Sequence, residues 1–162
     1  MRIVRFVKIV AVAFGTALAL YGCGGGGGGK SAAPTPSDSV AFTNGASMSL
    51  IPAGRGNYQI QGSGFQNILG ISIVIDYPTA RMSSPAITVG NFFTQAISFS
   101  NVSTAGVARL AIVGTTPVSG TGTIGSIRFA NFSGTRGPTF GSVTLADSLF
   151  RQYSTHGLGP QP

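Results

Sequence analysis

From residue 40 onward, large apolar and small polar side chains alternate. In Ile71-Ser72-Ile73-Val74-Ile75-Asp76-Tyr77 the odd positions are bulky and apolar, while Ser72 and Asp76 face the other way. Period two is the signature of a half-buried strand. The same arithmetic predicts Ile97 and Phe99 inward against Ser98 and Ser100, and Ala108, Leu110 and Ile112 inward against Arg109. It continues with Ile127 and Phe129 against Ser126 and Arg128, and with Val143 and Leu145 against Thr144 and Asp147. Weaker strands are expected over residues 47–51, 57–62 and 87–89. Between these runs lie turn formers: Pro52-Ala53-Gly54-Arg55-Gly56, Pro78, Ser83-Ser84-Pro85, Thr104-Ala105-Gly106, Ser119-Gly120-Thr121-Gly122 and Gly134-Thr135-Arg136-Gly137-Pro138. Each supplies a positive φ or a fixed turn φ. Short strands at close spacing predict an all-β chain, an antiparallel β-sandwich of about eight to nine strands. No helix is expected after the N-terminal segment. Gly125 would weaken an isolated strand and is expected to mark a bulge or a close sheet-to-sheet approach.

The N-terminus has a different pattern. Arg2, Arg5 and Lys8 precede an uncharged run from Ile9 to Tyr21, the length of a signal peptide's apolar core and short of the roughly 18 residues a membrane span takes. Leu20-Tyr21-Gly22-Cys23 follows and resembles the lipobox of bacterial lipoproteins, with Tyr21 an unusual occupant of its middle position. The chain's only cysteine stands at this place, which excludes an intramolecular disulfide. Residues 1–22 therefore read as a lipoprotein signal peptide, with cleavage by the ordinary signal peptidase as the alternative. Cys23 would carry a diacylglycerol and a further acyl chain, enough for stable anchoring. The glycines from Gly24 to Gly29, then Lys30 and a Ser-, Ala- and Pro-rich stretch to Ser39, read as a flexible tether. A phosphate-binding loop is disfavoured because Gly29-Lys30-Ser31 closes no strand-to-helix turn. The expected division is 1–22 signal, 23–39 lipidated tether and 40–162 folded domain. The address is the cell envelope, and Gly24 lacks the Asp that retains many lipoproteins at the inner membrane, which favours the outer one.

Composition narrows the chemistry. The chain has 162 residues with 8% charged, 25 Gly, no Trp and one His. Its formal charge of +7 falls to +4 once residues 1–22 are removed, too mild a bias for a nucleic-acid binder. Glycoside hydrolysis needs a facing pair of carboxyl groups, and the strands offer Asp76 and Asp147, each placed where a turn uses an aspartate. His156 stands among turn formers. Calcium takes six to eight oxygen ligands and zinc a His/Cys cluster, and neither set is in the sequence. No catalytic residue, metal site or cofactor is expected.

Three stretches carry a resemblance. Residues 64–78 read Gly-Phe-Gln-Asn-Ile-Leu-Gly-Ile-Ser-Ile-Val-Ile-Asp-Tyr-Pro, with Pro85-Ala-Ile-Thr-Val-Gly90 after them. Val107-Ala-Arg-Leu-Ala-Ile-Val113 and Ser119-Gly-Thr-Gly-Thr-Ile-Gly-Ser-Ile-Arg-Phe-Ala130 complete the set. This resembles the cohesin domain, in which an alternating strand opened by an aliphatic residue and glycine ends in a Tyr-Asp-Pro-like turn, and a Gly-x-Gly leads into a strand closing on Phe. The likeness covers most of residues 47–157 and extends to Val143-Thr-Leu-Ala-Asp147 and His156-Gly157. Here Asp76 precedes Tyr77, whereas the family has its acid after the tyrosine.

The resemblance implies a jelly-roll related to family 2 and 3 carbohydrate-binding modules, non-catalytic, with one sheet face recognising a dockerin-type module in an envelope assembly linked to polysaccharide degradation. As a departure from that family, little chain follows Gly157 for the last strand, which there pairs with the first, so one sheet is expected to lack a strand. By alternation, the candidate partner-binding residues are Ser72, Val74, Asp76, Ser98, Ser100, Arg109 and Thr144, small and weakly charged, with Asp76 and Arg109 able to set register. Carbohydrate binding and a purely structural envelope lipoprotein are the alternatives. Sugar rings are gripped by flat aromatic side chains, and Tyr77 falls in the inward register.

Overall fold

A computed structural model describes residues 37–133 and 136–156, so the apolar start, Cys23 and most of the tether lie outside the described residues, as does the side chain of His156. The described residues form eight strands and no helix. In order these are β1 Asp38–Ala41, β2 Ser47–Pro52, β3 Asn57–Asp76, β4 Met82–Val89, β5 Ala96–Asn101, β6 Val107–Phe132, β7 Thr139–Asp147 and β8 Gln152–His156. Every pairing is antiparallel. The expected all-β antiparallel sandwich is the observed one.

Two strands dominate. β3 has 20 residues and β6 has 26, and they pair from Asn57↔Arg128 through to Asp76↔Val107. Their outer halves are flanked by different neighbours. The first half of β3 and second half of β6 carry β2 and β4, with β1 beyond β2; the second half of β3 and first half of β6 carry β7 and β5, with β8 beyond β7. The ribbon bends between these halves. Its register shifts at Ile60/Gln61, Gly62/Phe65, Phe65/Ile68 and Ile68/Gly70, and Gly64, Asn67 and Gly120 there have φ of 66°, 52° and 96°. Extra residues on one strand bend and twist a pair in this way. The glycines of Ser119-Gly120-Thr121-Gly122, expected to end a strand, instead let β6 continue through a bend. Ser83-Ser84-Pro85 is likewise strand and not turn, with Ser84 at φ 52° skipped in the β4–β6 register.

The bend folds the ribbon onto itself around one apolar core. Ile71, Ile73, Ile75, Leu110, Ile112, Val143 and Leu145 from one layer meet Met48, Leu50, Ile60, Ile127 and Phe129 from the other. These alternate as expected, but Asp147, expected outward against Val143 and Leu145, shares their phase and is buried, its carboxylate held by hydrogen bonds within the β7–β8 turn. Close approach also needs missing side chains: a Cβ on Gly125 would fall 2.6 Å from the Thr88 carbonyl oxygen, and the register slips beside it. Gly125 thus marks the bulge that its position predicts, and the close approach there is to the paired strand β4 within the same layer, not sheet to sheet.

β5 overturns the expected orientation of Ile97 and Phe99. They are 64% and 70% exposed. Ile97 pairs with Val113 and Phe99 with Ala111, whereas Ser98 and Ser100 pair with the buried Ile112 and Leu110. Directly opposed residues share a face, so the apolar side chains of β5 point outward and its serines point to the core side. Alternation fixes a period and leaves open which phase is buried. At this edge strand the second layer does not reach, and even Ser98 and Ser100 are exposed.

No described strand other than β2 pairs with β1, so the last strand expected to be missing, the one that would pair with the first, is not among the described strands. β8 is present and pairs with β7, Leu145↔Tyr153 at its middle. It widens the layer that carries β7 and leaves β1 with β2 as its strand partner. β1 takes in Asp38 and Ser39, which the composition groups with the tether.

Candidate partner-binding face

The outer surface of the layer β8-β7-β3-β6-β5 is a grid whose rows follow from the register. One row is Gln152, Ala146, Gly70, Val113 and Ile97; the next is Ser154, Thr144, Ser72, Ala111 and Phe99; the third carries Ser142, Val74, Arg109 and Asn101. The grid is polar and low at the β8–β7 side, where the Thr144 and Ser154 hydroxyls share a hydrogen bond of 2.9 Å. It becomes apolar and taller toward β5. Val113 is 58% exposed beside Ile97 and Phe99. Isolated exposed apolar residues are common on proteins, while contiguous patches of a few hundred Å² mark interaction surfaces.

Of the sequence-predicted site residues, the structure brings Ser72, Val74, Arg109 and Thr144 together on this face, in adjacent strands. Asp76 lies at its end, half-buried, with its carboxylate over Gly141, where a Cβ would stand 2.5 Å from Oδ2. Ser98 and Ser100 are on the opposite side of the layer, the consequence of the β5 phase. Ile97, Phe99 and Val113 take their place. No signal in the strand itself could have found them: Ala96–Asn101 carries no charged residue, so no charge marks either phase as the solvent side. Cys23 lies outside the described residues.

A cavity of about 350 Å³ opens at the Asp76 end, lined by Asp76, Tyr77, Pro78, Gly106, Arg136, Gly137 and Thr139. Its lining carries one carboxylate and one guanidinium group, from Asp76 and Arg136, and neither His nor Cys. Among the described residues no three His, Cys, Asp or Glu side chains are grouped to hold a metal.

The second aspartate of the strands, Asp147, is a builder of local structure. It is 2% exposed. Its Oδ1 accepts from the backbone N–H of Leu149 at 2.9 Å and of Arg151 at 3.0 Å, and its Oδ2 accepts from Arg151 Nε at 2.7 Å and the Tyr153 hydroxyl at 3.2 Å. Burial pushes this carboxyl up, but the hydrogen bonds and charge of Arg151 and the Leu149 N–H outweigh it and leave it below the ordinary carboxylate range. Arg151 is held correspondingly higher by the same hydrogen bond and charge. Tyr58, inside the core, is raised by burial.

With two layers and eight antiparallel strands among the described residues, the molecule is an all-β sandwich. No family model matches the chain, and no curated protein matches it. Among solved structures it is similar to a non-cellulosomal cohesin from the archaeon Archaeoglobus fulgidus, 13% identical over 59% of this chain and 70% of that one, TM-score 0.48. It is similar to a cohesin module of a family 33 glycoside hydrolase from Clostridium perfringens, 6% identical over 69% and 89%, TM-score 0.48. A type II cohesin module of the adaptor scaffoldin of Acetivibrio cellulolyticus is similar at 12% identity over 71% and 89%, TM-score 0.44.

Proposed function

We propose that the domain is a non-catalytic protein-binding module that seats a dockerin-type partner on the outer face of β8-β7-β3-β6-β5. The observation that supports it is the phase of β5, which holds Ile97 and Phe99 in solvent beside Val113 instead of in the core. An apolar centre next to a small, hydroxyl-rich surface is the anatomy of a protein interface, with Arg109 as the charged anchor. Ser72, Val74 and Thr144 form its low floor. The resemblance of residues 64–130 to the cohesin domain gives the class of partner. Tethering through acylated Cys23 to the outer membrane would put the face within reach of partners engaged in polysaccharide breakdown.

A sugar-binding role is less favoured by the same face. Among the described residues Phe99 is its one exposed ring, while Tyr58 and Tyr77 are buried and Tyr153 is half-buried. Immobilised dockerin-type modules should retain the purified protein, and Phe99→Asp should abolish retention without changing the fold. Retention by insoluble polysaccharide and by none of the modules would overturn the proposal. Mass spectrometry of the mature N-terminus tests the anchor, which requires two or more acyl chains on Cys23.

A further inference from the structure

The turn between β7 and β8 closes as the β1–β2 turn does, where Gly45 N–H donates to the Phe42 carbonyl and Phe42 N–H to the Ala46 carbonyl with Gly45 at φ 82°, but it lacks the glycine. Phe150 N–H donates to the Asp147 carbonyl at 3.0 Å and Asp147 N–H donates to the Arg151 carbonyl at 3.0 Å, which closes a three-residue loop of Ser148, Leu149 and Phe150. Such loops end on a left-handed residue that is ordinarily glycine. Here that residue is phenylalanine, at φ 60°, a conformation unfavourable for a bulky side chain. Nothing in the core recovers the cost. Leu149 is 70% and Phe150 82% exposed, so two large apolar side chains stand side by side at the apex of a hairpin.

The backbone N–H groups beneath them are all satisfied. Ser148 N–H donates to the Asn67 carbonyl at 2.9 Å, and Leu149 and Arg151 N–H both donate to Asp147 Oδ1. With the two bonds above, every N–H from Asp147 to Arg151 has an acceptor inside the protein. A partner's pocket does not demand this, since a partner can supply hydrogen bonds of its own. Hydrocarbon demands it, because each unsatisfied backbone group is costly there. Charge points the same way. The one carboxylate at the tip is Asp147, buried and paired to Arg151 at 2.7 Å, while the Arg151 side chain is 65% exposed. The tip presents a guanidinium group, ion-paired to the buried Asp147, and no exposed anion, so acidic headgroups can approach it without like-charge repulsion.

From these observations we propose that the β7–β8 hairpin tip inserts Leu149 and Phe150 into the interfacial zone of an anionic lipid surface. The strained aromatic is kept for the bilayer and not for the fold. This inference does not depend on the partner-binding face or on acylation of Cys23.

The chain has no tryptophan, so a single introduced one reports its own surroundings. Full-length Phe150→Trp, and Leu149→Trp in case the strained position tolerates no indole, would be mixed with vesicles of phosphatidylcholine and phosphatidylglycerol, with and without brominated acyl chains. Thr79→Trp is the control, an exposed site beyond Asp76, about 27 Å along β3 from the strand position that pairs with Asp147. Emission from the tip should shift to the blue and lose most of its intensity to the brominated lipid, while emission from position 79 stays red and unquenched. Red, unquenched emission from both tip variants at lipid excess would overturn the proposal. So would equal quenching at the tip and at position 79, which means proximity without insertion. A blue shift that needs an added protein and not lipid would assign the tip to a partner's pocket instead, and would also overturn it.

Discussion

Phe150→Gly should make the protein more stable, although it deletes an aromatic side chain. A left-handed backbone costs an ordinary residue about 1–2 kcal/mol, and glycine adopts it without that cost. Against this, glycine has more freedom to lose on folding, about 0.5–1 kcal/mol. The ring itself contributes little, since Phe150 is 82% exposed and so loses almost no burial on removal. The loop's hydrogen bonds use the backbone and the Asp147 carboxylate, and both survive the change. The balance is a gain of about 0.5–1 kcal/mol. A domain of about 120 residues has an unfolding entropy near 250 cal/mol/K, so the midpoint should rise by about 2–4 °C. Scanning calorimetry of wild type, Phe150→Gly and Phe150→Ala reads this directly. Alanine loses the ring and keeps the strain, so it should leave the midpoint near wild type. A lower midpoint for the glycine variant, or equal gains for glycine and alanine, would refute the claim that backbone conformation at residue 150 is the dominant cost.

Other outcomes are equally open to measurement. Ile97→Asp and Val113→Asp alter exposed side chains and should move stability by no more than about 0.5 kcal/mol, yet weaken partner binding about thirtyfold or more if they form the interface centre; titration calorimetry with chemical denaturation reads both. Gly125→Ala should cost about 1–3 kcal/mol, because its Cβ would press on the Thr88 carbonyl and β4 must move away, and urea midpoints check it. Asp147 has its folded-state pKa lowered, so its contribution to stability is complete above its unfolded value of about 3.9 and is lost as pH falls through the folded one. Thermal midpoints should therefore drop below about pH 4, and Asp147→Asn should lower the midpoint at neutral pH while flattening that acid limb.

How much of this was legible in the sequence differs from strand to strand. Ile71, Ile73 and Ile75 have Ser72 and Asp76 on the other phase, Leu110 has Arg109, and a second layer lies above them, so hydrophobicity and burial agree. β5 has the same alternation, Ala96-Ile97-Ser98-Phe99-Ser100, and the opposite outcome. Its phase is set by hydrogen bonding to β6, whose Ile112 and Leu110 already fill the core side, and pairing partners are not written in a strand's own residues. Continuity was hidden for another reason. The glycines near residues 62–64 and 120–122 look like chain reversals locally, but with a long partner strand alongside they become bulges. The hairpin tip at Ser148-Leu149-Phe150 was invisible because it lacks the glycine its geometry ordinarily requires. The Asp147 carboxylate supplies what glycine would have made easy.

The uninterrupted β3–β6 ribbon also has a mechanical meaning. In a sandwich made of two separate sheets, tension applied to one and resisted by the other crosses a greasy seam that can shear. Here the outer face and the layer that holds β1 share the same two peptide backbones, so a tug on the face reaches the N-terminal side through covalent bonds. Such a domain can be held at one end and hauled at the other without its layers sliding apart.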